Sequence, residues 1–483
     1  MKLSFTRIFG STPKASLWDN ESLIRSELFS IERLEQHAES LAKAQPVLSK
    51  PTAGHSLAVR LADNGRVLLR TYHTIAKAIS EELVITPAAE WLVDNFYIVD
   101  EQIRNIHDDL PSGYYRQLPK LADGALKGYP RVFGIAWAFV AHTDSRFDLE
   151  TLSRFVSAYQ RIQPLTIGEL WAVAITLRII LVENLRRSAE RIVKSREQRA
   201  DANNAAERLL GIGTIDVERP EITLLRFHGK KLPTAFAVQL VQRLRDQDPA
   251  VTPALQWLDE RLTAQGTTSE KIVNEEHQYQ GAMSVTVRNI ITSMRQMSSI
   301  DWPKFFESVS LVDEALSAES NFAAMDFPTR DSYRHAIEDL SRGSKFTELE
   351  ITQKAIQNAH TAKVGKRNVP DQDPGFYLIS RGRLIFERQI SFHIPLRLWF
   401  DRIASNYGIR GYIISIASLC ALILAIPVLA VARQGTTIYE IVLLAILAVL
   451  PLSDVAVALV NHWVTQRFGP KGLPALELKE GVP

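Results

Sequence analysis

The sequence predicts an all-α protein whose C-terminal part crosses a membrane as a two-helix hairpin. Apolar residues recur at helical spacing through most of the chain, and two long apolar runs lie near the C-terminus. Runs with strand alternation are almost absent. We therefore expect a multi-helix region followed by the hairpin, with strands at most incidental.

The composition bounds the class of protein. The chain has 483 residues, of which 46% are hydrophobic and 23% charged, as in a globular protein with a membrane component. The net charge of +2 gives no reason to expect a nucleic-acid partner. The single cysteine, Cys420, excludes a disulfide within the chain and a cysteine-based metal site. Lys2 and Arg7 are not followed by an apolar core, so we expect no secretory signal peptide.

Breaks rich in proline and glycine predict the domain organisation. The expected segments are an N-terminal helical segment (1–70), a first helical half (71–220), a second helical half (221–364), a linker and juxtamembrane segment (365–410), the transmembrane hairpin (411–464), and the start of a further linker (465–483).

Three threonines mark predicted helix starts in the soluble region. Thr86 is a good N-cap with Pro87 at the first helical position. Thr166 and Thr347 each precede a glutamate by three residues, which is the spacing of a capping box. The faces predicted after the first two starts are Leu92, Phe96, Val99 and Ile103, and Leu170, Ala174, Leu177, Leu181 and Leu185.

The segment Thr86–Leu92 has an internal echo at Thr252–Leu258, since both begin with Thr-Pro-Ala and place a tryptophan before the final leucine. The echo is consistent with two related helical halves. It is equally consistent with convergence on a favoured helix start.

Residues 411–432 contain no charge and are long enough to span a bilayer. Residues 441–462 form a second candidate span, interrupted mainly by Pro451 and Asp454. The alternative is a pair of buried core helices. The basic flanking residues favour a membrane hairpin with both ends cytoplasmic, because the turn between the spans has only Arg433. These flanking residues are Arg397, Arg402, Arg410, Arg467, Lys471 and Lys479.

Asp454 is the one candidate functional residue, as a possible intramembrane polar site. A carboxylate in a spanning helix is costly and commonly functional. Pro451 precedes it and favours a kink. Asp454 therefore either lines a wet pathway or merely pairs with another transmembrane helix.

No motif reaches a catalytic signature, and we predict no catalytic, cofactor-binding or metal residue in this chain. Gly211-Ile212-Gly213 lacks the third glycine of a dinucleotide loop. Two Asp-x-Asp triplets, 246–248 and 371–373, resemble the cation site of nucleotide-sugar transferases. Each is followed by proline and has no strand before it, which favours turn chemistry.

A basic run and two aromatic groups have alternative interpretations. The run is expected to be a solvated helix face, or else to contact anionic headgroups. The aromatic groups are expected to pack helix ends, or else to form carbohydrate-stacking platforms. The run is Arg186, Arg187, Arg191, Lys194, Arg196 and Arg199, and the aromatic groups are Tyr114 and Tyr115, and Trp302, Phe305 and Phe306.

Several segments together resemble the N-terminal region of bacterial cyclic β-1,2-glucan synthases. They are the segments 86–96, 109–121, 128–132, 141–145, 165–172, 183–187, 301–302 and 325–331, and the resemblance extends from about Ser22 to the end. It implies a large inner-membrane enzyme with a helical cytoplasmic region, a first membrane hairpin, a glycosyltransferase domain using UDP-glucose, and a phosphorylase-like region. The glycosyltransferase domain would follow residue 483, so no catalytic residue is carried over.

The leading hypothesis is an anchoring and scaffolding part of such a synthase, at the bacterial inner membrane. Its expected partners are membrane lipid and the remainder of the synthase. The alternative is a free-standing, membrane-tethered helical adaptor for a protein partner. The adjacent coding sequence distinguishes the two hypotheses.

Overall fold

A computed structural model describes residues 22–48, 54–109, 113–210, 231–245, 252–365, 369–394, 396–433, 435, 437–468 and 475–476. This part of the chain contains 19 α-helices and no strand, which confirms the predicted all-α fold. The chain divides into two compact units, Met1–Val309 (unit 1) and Ser310–Pro483 (unit 2).

Unit 1 contains twelve helices in its described residues. They are α1 (Ile31–Ala44), α2 (Leu57–Ser80), α3 (Pro87–Asp94), α4 (Phe96–Asp109), α5 (Tyr114–Gln117), α6 (Arg131–His142), α7 (Leu149–Gln160), α8 (Ile167–Leu210), α9 (Thr234–Leu244), α10 (Thr252–Ala264), α11 (Ser269–Met297) and α12 (Trp302–Val309).

Unit 2 contains seven helices in its described residues. They are α13 (Leu311–Glu319), α14 (Phe327–Arg342), α15 (Glu348–Val364), α16 (Pro374–Leu378), α17 (Arg383–Gln389), α18 (Leu396–Ala432) and α19 (Ile438–Phe468).

The central helix of unit 1 is α8, which has 44 residues and packs against α2, α4, α6, α9 and α11. The sequence predicts that a single apolar stripe of this helix is buried, but the buried surface is wider than that stripe. Every residue from Ile179 to Ala189 is buried, because neighbouring helices cover this stretch on all sides. Polar residues of this stretch are therefore buried as well, among them Glu183, Asn184 and Arg187.

The predicted caps are confirmed. The side chain of Thr86 accepts a hydrogen bond from the amide of Ala89, and Pro87 is the first residue of α3. Thr166 forms a reciprocal capping box with Glu169. Thr347 forms the same arrangement with its glutamate at the start of α15.

The helix predicted after Thr86 is divided in two. Asn95 ends α3, and its side chain donates to the carbonyl oxygen of Trp91 at 3.0 Å. Leu92 and Val99 of the predicted face are buried, as predicted. Phe96 and Ile103 are only partly buried, because α4 begins anew at Phe96 and turns Ile98 and Ile106 to the interior as well.

The echoed segments share a burial register. Ala88 and Leu92 are buried in α3, as are Ala254 and Leu258 at the matching positions of α10. The second pair belongs to a separate apolar cluster that also includes Phe236 of α9. The hypothesis of two related halves stays open, because a shared helix start produces the same register.

The core of the helices before the hairpin in unit 2 contains a buried ion pair. Arg334 of α14 donates through Nε to Oδ1 of Asp313 of α13 at 3.2 Å, and both side chains are at most 5% exposed. Tyr333 donates to Asp373 at 2.8 Å, and Asp373 also caps α16. The triplet 371–373 thus serves as a helix start, in agreement with turn chemistry.

Candidate membrane anchor and buried polar centre

Two helices at the end of the chain are long and apolar enough to cross a bilayer. The apolar stretches are Gly408–Ala432, with 25 residues, and Ile438–Gln466, with 29 residues. In the most apolar part of the first stretch no residue is buried, and in that of the second only 6% of the residues are buried. A core helix of a soluble protein buries such a surface, so this pair is suited to a lipid environment.

The two apolar helices pack against each other as a hairpin. Tyr412 of α18 donates a hydrogen bond to Oδ1 of Asn461 of α19 at 2.6 Å, and Ala456 and Val460 are buried. Sequence reasoning missed this polar pair. Its signal was an asparagine near the end of an apolar run, opposite a tyrosine near the start of the other.

Glycines bound the first apolar helix. Gly408 has a φ of +46° and separates the first part of α18 from its apolar stretch. Gly435, with a φ of +76°, lies in the turn before α19. Both conformations are left-handed, where a residue without a Cβ is favoured. The apolar stretch therefore begins three residues before the predicted Gly411.

Asp454 is exposed on α19. It lies two residues before the buried Ala456, and that separation is a rotation of about 200° around a helix. Asp454 therefore faces away from α18. The helix continues through Pro451.

Both flanks of the hairpin are attached to α14. Before the hairpin, the amide of His393 donates to the carbonyl oxygen of Gly343, just after α14, at 2.7 Å. After the hairpin, Ala475 accepts from the amide of Asp326 at 3.1 Å and donates to Thr329 at 3.0 Å. The chain thus leaves α14 for the hairpin and returns to α14 after it.

Unit 1 contains a buried polar centre around Glu183 of α8. Arg60 of α2 contacts both carboxylate oxygens at 3.0 and 3.1 Å, and Asn64 donates at 2.8 Å. From α8 itself, Arg187 donates at 2.8 Å and Arg186 at 3.2 Å. One buried carboxylate therefore holds three arginines together.

The charges of this centre fix its protonation state. Burial alone would raise the pKa of the Glu183 carboxyl. The hydrogen bonds and positive charges of Arg60, Arg187 and Arg186 outweigh burial and lower the pKa to about 2. Glu183 is therefore ionised at neutral pH, as its partners require.

The centre also holds the segment before α1. Arg187 donates to the carbonyl oxygen of Ser22 at 2.7 Å, and its guanidinium lies 5.2 Å from the ring centroid of Trp137. Asn184 binds both backbone groups of Ile24, accepting at 2.8 Å and donating at 3.2 Å. These bonds join α8 to residues about 160 positions earlier in the chain.

A turn after α6 completes the network. Asp144 and Ser145 have φ values of +51° and +62°. Ser145 binds Asn184 of α8 at 2.9 Å and Ser293 of α11 at 2.8 Å, while Asp144 accepts from Thr286 at 2.7 Å. Burial raises the pKa of Asp144, although Thr286 and a nearby arginine oppose that shift. The surrounding helices thus hold a strained backbone in place.

A second buried ion pair lies at the start of α8. Arg131 donates through Nε to Glu169 at 2.8 Å, and both side chains are at most 5% exposed. Glu169 also accepts from the amide of Thr166, so one carboxylate serves as both cap and ion-pair partner. This position is consistent with the helix N-terminus favouring negative charge.

Comparison with known proteins identifies the larger context. No protein-family model matches the chain. It is 33% identical over 476 residues, 98% of its length, to cyclic β-(1,2)-glucan synthase NdvB of Rhizobium meliloti. This chain is similar to one region of a cyclic β-(1,2)-glucan synthase. It spans only 17% of that synthase's length. The resemblance inferred from the motifs is thereby confirmed.

The synthase-like segments include part of the buried polar centre. Segment 183–187 supplies Glu183, Arg186 and Arg187, and segment 141–145 supplies the strained turn. Segments 128–132 and 165–172 supply the second ion pair. These four segments therefore include buried residues that join helices, where removal of one partner is costly.

The basic run after Glu183 corrects the sequence interpretation. Arg186 and Arg187 are buried, so they form neither a solvated face nor a headgroup contact. Arg196 donates to the carbonyl oxygen of Thr74 at 3.2 Å, and Arg199 binds Glu276 at 3.1 Å. The run instead bonds α8 to its neighbouring helices, which sequence spacing along one helix cannot reveal.

The aromatic groups pack helix ends, as the sequence favours. Tyr115 forms a hydrogen bond with Thr176 at 2.8 Å. Phe306 is buried and stacks on Trp171 with a centroid distance of 4.5 Å. These rings are therefore not open stacking platforms for a sugar.

Within the described residues, no group of three or more His, Cys, Asp or Glu could hold a metal ion. The glycine pair 211–213 and the triplet 246–248 lie outside the described residues.

Proposed function

We propose that this chain anchors and positions part of a cyclic β-(1,2)-glucan synthase at a bacterial inner membrane. In this proposal, α18 and α19 cross the bilayer and the other helices form a cytoplasmic scaffold. UDP-glucose binding and glucan synthesis are assigned to the remainder of the synthase. The similarity over 98% of the chain supports the assignment to a synthase.

The main observation that supports the anchoring proposal is the attachment of both hairpin flanks to α14. A helix outside the bilayer can bind both flanks only if they emerge on the same side. His393 precedes the hairpin and Ala475 follows it, and both bind at α14 or its immediate ends. We therefore infer an even number of crossings between them.

The charge distribution supports the cytoplasmic side. Arginine and lysine concentrate on both flanks of the hairpin, whereas the turn contains only Arg433. Positive residues are retained in the cytoplasm during insertion. The turn is accordingly placed on the periplasmic side.

Asp454 is assigned a contact with the remainder of the synthase. It faces away from α18, so the hairpin itself does not shield it from the bilayer. An ionisable group in this position needs a polar partner or water. Another transmembrane helix of the synthase, or a wet pathway beside it, would supply one.

Alkaline phosphatase fusions test the proposed anchor, because this reporter is active only in the periplasm. We expect activity from a fusion at Gly435 and none from fusions at Gly365 or after Pro483. The fusion at Gly365 is the control for the side of the scaffold. Activity after Pro483 would contradict the hairpin, and inactivity at all three sites would contradict membrane crossing.

A further inference from the structure

The part of unit 2 that precedes the hairpin in sequence has an exposed amphiphilic face. Leu384 and Ile385 of α17 are 61% and 66% exposed, although both are large and apolar. Arg388 lies between them around the helix, within an arc of about 100°. Arg381 is also exposed, just before the helix. These four residues are called the juxtamembrane face.

The opposite side of α17 faces the protein interior. Phe386 and Ile390 are buried there, and Glu387 is paired with Arg383 at 3.1 Å. The carboxylate of α17 therefore lies away from the juxtamembrane face and is neutralised. The exposed side is both apolar and cationic.

The chain connects this face directly to the hairpin. The amide of Phe392 donates to the carbonyl oxygen of Glu387 at 2.9 Å, and His393 is held at Gly343. α18 then begins at Leu396, and its apolar stretch begins at Gly408. α17 therefore lies shortly before the point in the sequence where the chain would enter the bilayer, and the segment that follows it is held in place by these hydrogen bonds.

The sequence around the face has a strong cationic excess. Residues 376–410 contain six arginines and only two carboxylates. Trp399 and Phe400 also occur in this stretch, and aromatic residues of this kind favour the headgroup level of a membrane. Basic residues beside a span attract anionic lipid of the cytoplasmic leaflet.

We infer that the juxtamembrane face rests on the anionic surface of the bilayer that the hairpin enters. Leu384 and Ile385 would enter the headgroup boundary, and Arg381 and Arg388 would contact lipid phosphates. This inference rests on the proposed anchoring function. It adds a second, peripheral attachment that fixes the orientation of α17 relative to the membrane.

The test uses the full chain carrying Cys420→Ser, which removes the only cysteine. An environment-sensitive fluorophore is attached to a single cysteine introduced by Ile385→Cys. The protein is reconstituted in phosphatidylcholine vesicles with or without about one third phosphatidylglycerol. We expect the fluorophore to shift to the blue and to be quenched by nitroxide-labelled lipid in the anionic vesicles.

Charge reversal tests the contribution of the arginines. Arg381→Glu combined with Arg388→Glu should lower the docked-to-undocked ratio by at least about thirtyfold, since each basic residue favours an anionic surface by roughly fivefold. The matched control is Arg66→Glu with Arg104→Glu, two exposed arginines of unit 1. The control should leave the fluorescence unchanged.

Three outcomes would overturn the inference. They are a water-exposed label in anionic vesicles, an equal loss in the control, and burial of the label only in membranes that contain the complete synthase. The last outcome would indicate a protein contact instead. Resistance to alkaline carbonate extraction reports insertion of the hairpin separately. A chain that resists extraction but has a water-exposed label would contradict only the contact of the juxtamembrane face with the bilayer. A chain that is extracted would contradict the membrane anchor itself.

Discussion

At the scale of single residues, the fold of unit 1 depends on charges that have little access to water. Glu183 is 1% exposed and binds Arg60, Arg186 and Arg187. A buried ion pair is a weak source of net stability, because desolvation offsets attraction. Removing one partner is far more costly, because it leaves uncompensated charge. The network therefore specifies how α2, α8 and the N-terminal segment pack.

We predict that Glu183→Gln destabilises the protein by about 3–5 kcal/mol at pH 7. The melting temperature of the full chain in detergent, followed by circular dichroism, should fall by about 10 °C. The control is Glu190→Gln, since Glu190 also binds Arg186 but is 35% exposed. Equal effects of the two substitutions would contradict the special role of Glu183.

The Glu183 network also predicts a pH dependence. The folded-state pKa is about 2, below the ordinary value of 4.5, so ionised Glu183 favours the folded state. That contribution is present above pH 4.5 and is lost as the pH falls towards 2. The stability difference between the native protein and Glu183→Gln should therefore be smaller at pH 3 than at pH 7.

Asp454 gives the second residue-scale prediction. An ionised carboxylate in mid-bilayer costs about 2.5–3.5 kcal/mol on insertion scales, and the long apolar helix offsets this cost. Asp454→Asn and Asp454→Leu should both insert. In cells carrying the complete synthase, Leu should lower periplasmic cyclic glucan more than Asn, because Asn keeps hydrogen-bonding capacity.

The glucan yield is normalised to the amount of synthase in the membrane, and Val455→Leu serves as the neighbouring control. Val455 is likewise exposed but apolar. If both Asp454 variants gave the native yield of glucan, Asp454 would be a polar residue that the helix tolerates and that has no role in synthesis.

At the scale of helices, the segment between α17 and α18 is held by a close backbone approach. Gly343 ends α14, and a Cβ added there would overlap the ring of Phe392 and lie 2.8 Å from the carbonyl oxygen of His393. The φ of Gly343 is −97°, so the requirement is for space and not for a left-handed backbone. This glycine allows the segment before the hairpin to dock on α14.

We predict that Gly343→Ala releases this segment. Trypsin should then cleave faster at Arg388, whose side chain is already exposed, because the backbone after it gains freedom. The measurement is the time course of limited proteolysis of the full chain in detergent, with fragments identified by mass. Gly281→Ala is the matched control, since nothing lies near an added Cβ in the middle of α11. Unchanged cleavage at Arg388 would show that the segment adapts to the added methyl group.

At the scale of the whole molecule, the chain divides into its two compact units after Val309. The carbonyl oxygen of Val309 accepts from the buried side chain of Gln160, which belongs to unit 1. The helices after it build their own core, in which Leu378 and Phe386 are buried. A chain that ends at Gly365 retains α15 but loses α16, which packs against it.

We predict that a chain ending at Ser310 is soluble, helical and cooperative on heating. A chain ending at Gly365 should aggregate more readily, because it exposes the apolar surface that α16 and α17 cover. Size-exclusion chromatography and thermal unfolding by circular dichroism compare the two. Aggregation of the shorter chain would show that unit 1 needs the rest of the protein to fold.

The sequence alone determined the helical class, the hairpin and the cap at Thr86, because these depend on local patterns. Helical periodicity and the N-cap residue act within a few positions. Apolar run length identifies a span without knowledge of its neighbours. The combination of motifs also identified the synthase resemblance.

Tertiary structure alone decided which polar residues are buried and which faces are free. Arg187 and Lys194 belong to the same basic run, yet only Arg187 is buried, because α2, α6 and the N-terminal segment surround that turn of α8. Likewise, the orientation of Asp454 away from α18 and the return of Ala475 to α14 depend on packing between distant segments. Spacing along the chain contains no information on such long-range contacts, so only the packed structure shows them.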